Sequence, residues 1–255
     1  METKRMHVLW DFDGVLADSL NECYEITRRV VEQEEATLQE AVGKPLAPYS
    51  FDEFKNDRPV CVNARDFFVN YVARRKFGKA IRLNEVDAQY GELLVHLDET
   101  YYRTRQRVAD EWGKQYAESM APYSGVLEAV RAIHASGAKQ AVMSARDEAS
   151  IQGWLTHFRI EECMEAVAGT EVSRADRMVK QKQVRLLKKT LGKGAYAFVD
   201  DLMHNLEVVY DVDPDIQLFF ADWGYGVYAE QKGMIRMDHP NEVMGWIRNP
   251  VKKTL

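Results

Sequence analysis

The chain has 255 residues, 46% of them hydrophobic, three cysteines and a formal net charge of −6. That length suits one large domain or a core with a smaller companion, with enough apolar side chains for a sizeable interior. The acidic balance speaks against broad nucleic-acid binding, which needs a basic face, and the scattered Cys23, Cys61 and Cys163 make neither a disulfide framework nor a Cys-x-x-Cys zinc pair.

The N-terminal residues run into Val8-Leu9-Trp10, which Asp11 stops. This apolar run is too short for a signal peptide or a span, and no later one reaches bilayer length. A soluble, cytoplasmic protein with free thiols and no membrane or nucleic-acid partner is expected. Residues 7–10 read as a buried strand feeding the turn Asp11-Phe12-Asp13-Gly14. From 20 to 115 no strand series stands out. Helical composition covers 20–38, 63–77 and 84–116, and the Pro-, Asp- and aromatic-rich stretch 43–59 reads as a loop. Ala121-Pro122-Tyr123-Ser124-Gly125 looks like a return linker. Strand and helix then alternate: a helix over 126–136, a strand over 140–143, a helix over 147–158, a short strand over 166–168 and a helix over 177–191. A strand over 195–199, a helix over 202–210 and strands over 217–220 and 234–237 follow. Such alternation with short connections predicts an α/β fold, a Rossmann-like doubly wound parallel sheet with helices on both faces. Residues 1–19 and 120–255 would form it, with 20–119 an inserted all-helical domain.

Carboxylates collect at the predicted strand ends. Side chains two apart on a strand point the same way, so Asp11 and Asp13 can share a site, and Gly14 permits a sharp turn. Ligands of open parallel sheets bind at that end. Two such acids suit Mg²⁺, and one of them could attack phosphorus; a solvated turn is the competing reading. Asp200 and Asp201 close a second strand, where metal binding and capping of the next helix are compatible. Ser144 closes a third, where a hydroxyl and following backbone N–H groups suit a phosphate oxygen, or simply a helix cap. Lys180 or Lys182, early in the 177–191 helix, could offset the charge of phosphate and carboxylates, or lie solvated.

In this order the residues resemble a known family. Residues 8–19, with Asp11-Phe12-Asp13-Gly14, look like the first motif of the haloacid dehalogenase superfamily. Val142-Met143-Ser144-Ala145 resembles its second, a helical lysine its third, and Phe198-Val199-Asp200-Asp201 with Asn205 its fourth. The alignment favours Lys180 for the third motif, although no Lys-Pro pair marks it. The resemblance covers roughly 5–20 and 120–250 and implies a helical cap over 20–119 that closes on the site. It makes Asp11 the nucleophile and a Mg²⁺ ligand. Asp13 would be the general acid and base, and would bind metal through its backbone carbonyl. Ser144 and Lys180 would hold the phosphoryl group, and Asp200 and Asp201 would complete the metal site. Asp13 favours phosphate chemistry over carbon–halogen hydrolysis, which needs no second acid there. Lys44, Arg58 and Arg146 are candidate substrate contacts. The expectation is a Mg²⁺-dependent phosphatase acting on a small phosphorylated metabolite, in the broad manner of phosphoglycolate phosphatase, as monomer or homodimer. A sugar-phosphate phosphomutase and a non-catalytic binding member are the alternatives.

Overall fold

The computed structural model describes residues 5–78, 83–172, 179–231 and 233–249. It divides into two compact units, one made of Met1–Asp18 and Met120–Leu255, the other of Ser19–Ser119. In chain order the first part runs β1 (Met6–Trp10), β2 (Ala17–Asp18), α1 (Leu20–Gln33), α2 (Glu35–Val42), α3 (Phe51–Asp57), a 3-10 turn at Arg58–Val60, α4 (Ala64–Phe77), α5 (Leu83–Trp112) and α6 (Lys114–Glu118). Then come β3 (Ala121–Pro122), α7 (Val126–Ala135), β4 (Lys139–Met143), α8 (Glu148–His157), β5 (Ala166–Ala168), α9 (Val179–Leu191), β6 (Ala195–Asp200), α10 (Met203–Val212), β7 (Gln217–Ala221), β8 (Met234–Met237) and α11 (Glu242–Arg248).

Six strands form one parallel sheet in the order β5-β4-β1-β6-β7-β8. Helices cover both faces, so β1, β4, β6 and β7 are mostly apolar and buried almost from end to end rather than on alternate residues. Leu9, Met143, Phe198, Leu218 and Phe220 face Val184, Leu187 and Leu191 of α9 and Leu206 and Val209 of α10. The intervening residues turn to the other face, where Phe219 meets Trp246 of α11, and α7 packs on both β4 and α11. From β1 the chain moves outward through β4 to β5, then returns to the far side of β1 for β6, β7 and β8. That reversal opens a crevice beyond the C-terminal ends of β1 and β6, where doubly wound sheets bind ligands. The two-residue strands β2 and β3 pair antiparallel, apart from the sheet; they are too short for any periodic signal in the sequence.

The helical unit departs from the sequence reading in three places. The predicted helix over 20–38 is two helices, because Glu34 leaves helical geometry at φ −102°, ψ 19°. The bend buries Leu38 and Val42 and lets α2 pack on α4. The predicted loop 43–59 contains α3, started by a capping box between Ser50 and Glu53. The predicted helix over 84–116 kinks at Tyr90 and ends before Gly113, whose φ of 54° belongs to the left-handed region that favours glycine. Between α1 and α5 lies a buried ion pair, Arg105 Nε donating to Glu22 Oε1 at 3.0 Å, and the Tyr116 hydroxyl donates to the same oxygen at 2.6 Å. No disulfide joins the three buried cysteines. Among the described residues no helix is long and apolar enough to cross a membrane. The predicted helix over 177–191 is α9; residues 177–178 lie outside the described residues.

Candidate active site

Asp11 follows the last residue of β1, and its amide still donates to the Val199 carbonyl of β6 at 2.9 Å. The chain then turns tightly: the amides of Val15, Leu16 and Ala17 all donate to the Phe12 carbonyl, at 3.3, 3.0 and 3.0 Å. Gly14 is required twice over in this turn. Its φ is 91°, and a Cβ there would lie 2.4 Å from Asp201 Oδ2. The turn thereby presses the end of β1 against the end of β6.

At the end of β6, Asp200 and Asp201 are both fully buried. Asp200 is held to the residues that open α10, accepting from the amide of Leu202, the N-cap, at 2.8 Å and from Asn205 Nδ2 at 3.1 and 3.0 Å. Asp201 Oδ2 accepts from the backbone amides of Tyr225 and Gly226 at 2.7 and 3.3 Å. The loop after β7 approaches this closely because Gly224 and Gly226 carry no Cβ; one at Gly226 would fall 1.7 Å from the Asp201 carbonyl oxygen.

Lys180, on α9, reaches across to both strand ends. Its ammonium donates to Asp11 Oδ1 at 2.8 Å and to the Met143 carbonyl at 2.6 Å, and lies 3.2 Å from Asp200 Oδ2. Lys182, two residues on, is half-buried. Burial pushes the Asp11 carboxyl up to about 7; Lys180 opposes the shift, while Asp200 and Asp13 add to it. Asp200 is raised for the same reason, again against Lys180. Burial alone would pull Lys180 down, but the two carboxylates outweigh it and hold the ammonium above its ordinary value.

Oxygens of Asp11, Asp200 and Asp201 lie within 4.8 Å of one another. Three buried carboxylates cluster here, and the Lys180 ammonium contacts Asp11 and Asp200, leaving a surplus of negative charge that water does not screen. A hard divalent cation with oxygen ligands fits this donor set, and would relieve the desolvation that raises Asp11 and Asp200.

Asp13 and Arg146 form a two-pronged pair. Arg146 Nε donates to Asp13 Oδ1 at 3.0 Å and Nη2 to the same oxygen at 2.8 Å, with Oδ2 3.2 Å from Nε. The guanidinium is fully buried and stacks over Phe12, 5.3 Å from the ring centroid. Ser144 is buried at the exit of β4; its amide donates to the Ala168 carbonyl at 3.1 Å, and its hydroxyl oxygen accepts from the Arg146 amide at 3.3 Å.

The α/β unit thus carries Asp11, Asp13, Ser144, Arg146, Lys180, Asp200 and Asp201 at the C-terminal ends of β1, β4 and β6 and on α9. Lys44 and Arg58 belong to the helical unit. Lys44 is exposed after α2, whereas Arg58 is buried, donating to the Cys61 carbonyl at 2.9 Å and facing the Phe67 ring. Sequence reasoning missed the Arg146–Asp13 pair, the Tyr225 and Gly226 amides on Asp201, and Gln183 on α9. The one available signal was Trp223-Gly224-Tyr225-Gly226, whose alternating glycines mark a close backbone approach.

Fold and site together define an α/β enzyme with a buried aspartate, paired to a lysine, at the switch point of a doubly wound sheet. Comparison gives the family: the model of haloacid dehalogenase-like hydrolases matches residues 6–207, and the chain belongs to that family. Among solved structures it is similar to a predicted phosphoglycolate phosphatase from Haemophilus somnus 129pt, with 15% identity and a TM-score of 0.66 over 97% of this chain and 100% of that one. It is likewise similar to a predicted phosphatase from Clostridium acetobutylicum (12% identity, TM-score 0.64, 96% of this chain and 99% of that one). A haloacid dehalogenase-like family protein from Streptococcus pneumoniae is 14% identical, with a TM-score of 0.62 over 97% of this chain and 100% of that one. At these identities the likeness is one of fold. No curated protein matches the chain.

Proposed function

We propose that this hydrolase is a Mg²⁺-dependent phosphatase that cleaves a small-molecule phosphomonoester through an aspartyl-phosphate on Asp11. The observation that carries the reading is the contact of Lys180 with Asp11 and Asp200 inside a buried, carboxylate-rich crevice. Phosphoryl transfer asks mainly for positioning and for neutralisation of the equatorial oxygens. Asp11, Asp200 and Asp201 would hold the cation, which supplies charge neutralisation at the phosphoryl group.

Asp11 attacks phosphorus with one carboxylate oxygen. The bond from phosphorus to the ester oxygen breaks, and that oxygen takes a proton from Asp13 and leaves as the alcohol. A water then attacks the phosphorus of the aspartyl-phosphate, losing its proton to Asp13, and releases inorganic phosphate and the Asp11 carboxylate. Ser144 and Lys180 bind the phosphoryl oxygens throughout. A panel of phosphorylated metabolites assayed with Mg²⁺ tests the reading. Turnover is expected for at least one phosphomonoester, and Asp11→Asn should remove it. Absence of turnover by the native protein, or unchanged turnover in Asp11→Asn, overturns the proposal.

A further inference from the structure

Gln183 lies one helical turn after Lys180 on the same buried face of α9, and it is fully buried. Its side-chain amide nitrogen lies within hydrogen-bond distance of three backbone carbonyls, Ser144 at 2.6 Å, Ala168 at 2.8 Å and Gly169 at 2.9 Å, so its two N–H groups serve all three with one of them shared. These carbonyls stand where β4 and β5 run out: Ala168 is the last paired residue of β5 and its carbonyl also accepts from the Ser144 amide, while Ser144 and Gly169 follow the last paired residues. The opposite face of the amide has no such role: Oε1 is buried with no hydrogen-bond partner. Turning the amide over would set Oε1 against three carbonyl oxygens, so the surroundings settle its orientation. A buried amide oxygen left unsatisfied is unfavourable, and the three carbonyls are the compensation.

The consequence falls on Ser144. Its amide is tied to the Ala168 carbonyl, its own carbonyl to Gln183, and the preceding Met143 carbonyl to Lys180, which also holds Asp11. The peptides on either side of Ser144 are therefore gripped by two side chains of one helix turn. We propose that Gln183 is a positioning residue for phosphoryl transfer, setting the Ser144 hydroxyl relative to Asp11. This rests on the phosphatase reading above, because Ser144 matters only if it binds the transferred group.

The test is a double-mutant cycle of Gln183→Met and Ser144→Ala. Two quantities are read: kcat and KM with Mg²⁺ on the phosphomonoester found in the panel, and the affinity for inorganic phosphate by calorimetry. A catalytic group displaced by about 1 Å loses on the order of a hundredfold in rate. Gln183→Met alone is expected to lower kcat/KM by about ten- to a hundredfold and to weaken phosphate binding. Added to Ser144→Ala it should lower either by less than about threefold, since the group it positions is gone. Gln183→Asn, which keeps a polar side chain but withdraws the donor by one methylene, should behave alike and guards against a misfolded methionine variant. Equal losses in both backgrounds, or a lowered melting temperature with native kinetics, would make Gln183 a purely structural residue and overturn the inference alone. A native protein that neither turns over phosphomonoesters nor binds phosphate removes the phosphatase reading, and this inference with it.

Discussion

At the scale of single residues, the pairing of Arg146 with Asp13 has the most direct consequence for turnover. A planar guanidinium holds a carboxylate with two parallel bonds, which an ammonium cannot reproduce. Arg146→Lys keeps the charge but frees the Asp13 carboxylate to rotate, so kcat should fall on the order of tenfold while the melting temperature changes little; steady-state kinetics beside a thermal melt checks both. The placement of Asp11, Asp13, Ser144, Asp200 and Asp201 at strand ends and of Lys180 early on α9 was legible in the sequence because their order at successive strand–helix junctions resembles the family's four motifs. Arg146 with Asp13, and Gln183 with Ser144, were not legible as pairs. Those contacts depend on β4 lying beside β1 and on α9 packing across β4 and β5, which is tertiary information. His7 on β1 is another residue whose environment only the fold reveals: it is fully buried, its Nε2 meets the Lys193 carbonyl at 3.3 Å, and its ring packs on Tyr196. Burial lowers its pKa below the ordinary 6.5, with the Lys193 carbonyl opposing the shift. The folded state therefore binds fewer protons at this position than the unfolded chain. Its stability contribution is present above about pH 6.5 and is lost as pH falls through the depressed folded value. Urea denaturation between pH 7.5 and 5 should show this fall in the native protein, and His7→Gln should flatten that part of the profile; identical pH profiles would contradict it.

At the scale of elements, α3 illustrates how a local signal can be present and outweighed. Pro45, Pro48 and the neighbouring acids and aromatics made 43–59 look like a loop, yet Ser50-Phe51-Asp52-Glu53 is a Ser-x-x-Glu capping box. The Glu53 amide donates to the Ser50 hydroxyl at 3.2 Å, and the Ser50 amide donates back to Glu53 Oε2 at 3.1 Å. Arg75 of α4 grips the same carboxylate with two bonds of 2.9 Å, and these bonds push the Glu53 carboxyl down to about 2. The cap thus joins α3 to α4 as well as starting α3. Ser50→Ala should destabilise the helical unit by about 1 kcal/mol, the usual worth of such a cap, read as a lower urea midpoint. Retention of the native midpoint would mean that packing of Phe54 alone carries α3. The split of the 20–38 helix has the opposite origin: nothing local marks Glu34 as a boundary, and the bend follows from burying Leu38 and Val42 beside α4.

At the scale of the whole molecule, the alternating strand–helix order from 126 onward made the sheet class legible, and the absence of strands between 20 and 115 made the helical insertion legible. The strand order was less so, because the jump from β5 to the far side of β1 leaves no local trace; the carboxylates at the ends of β1 and β6 were its only indirect sign. The two units bear differently on ligand linkage. The three clustered carboxylates all belong to the unit formed by Met1–Asp18 and Met120–Leu255. A cation that binds this cluster only when folded stabilises that unit by mass action, about 2.7 kcal/mol at a hundredfold excess over its dissociation constant. It gives no such direct gain to Ser19–Ser119. Hydrogen exchange should therefore slow with Mg²⁺ at the amides of β6 and of the Tyr225–Gly226 turn, while those of α4 change little. Asp201→Asn keeps the shape of the side chain but removes its charge, and should abolish the effect at β6. Protection that rises equally across both units, or persists in Asp201→Asn, would place the cation elsewhere and detach Asp201 from the metal.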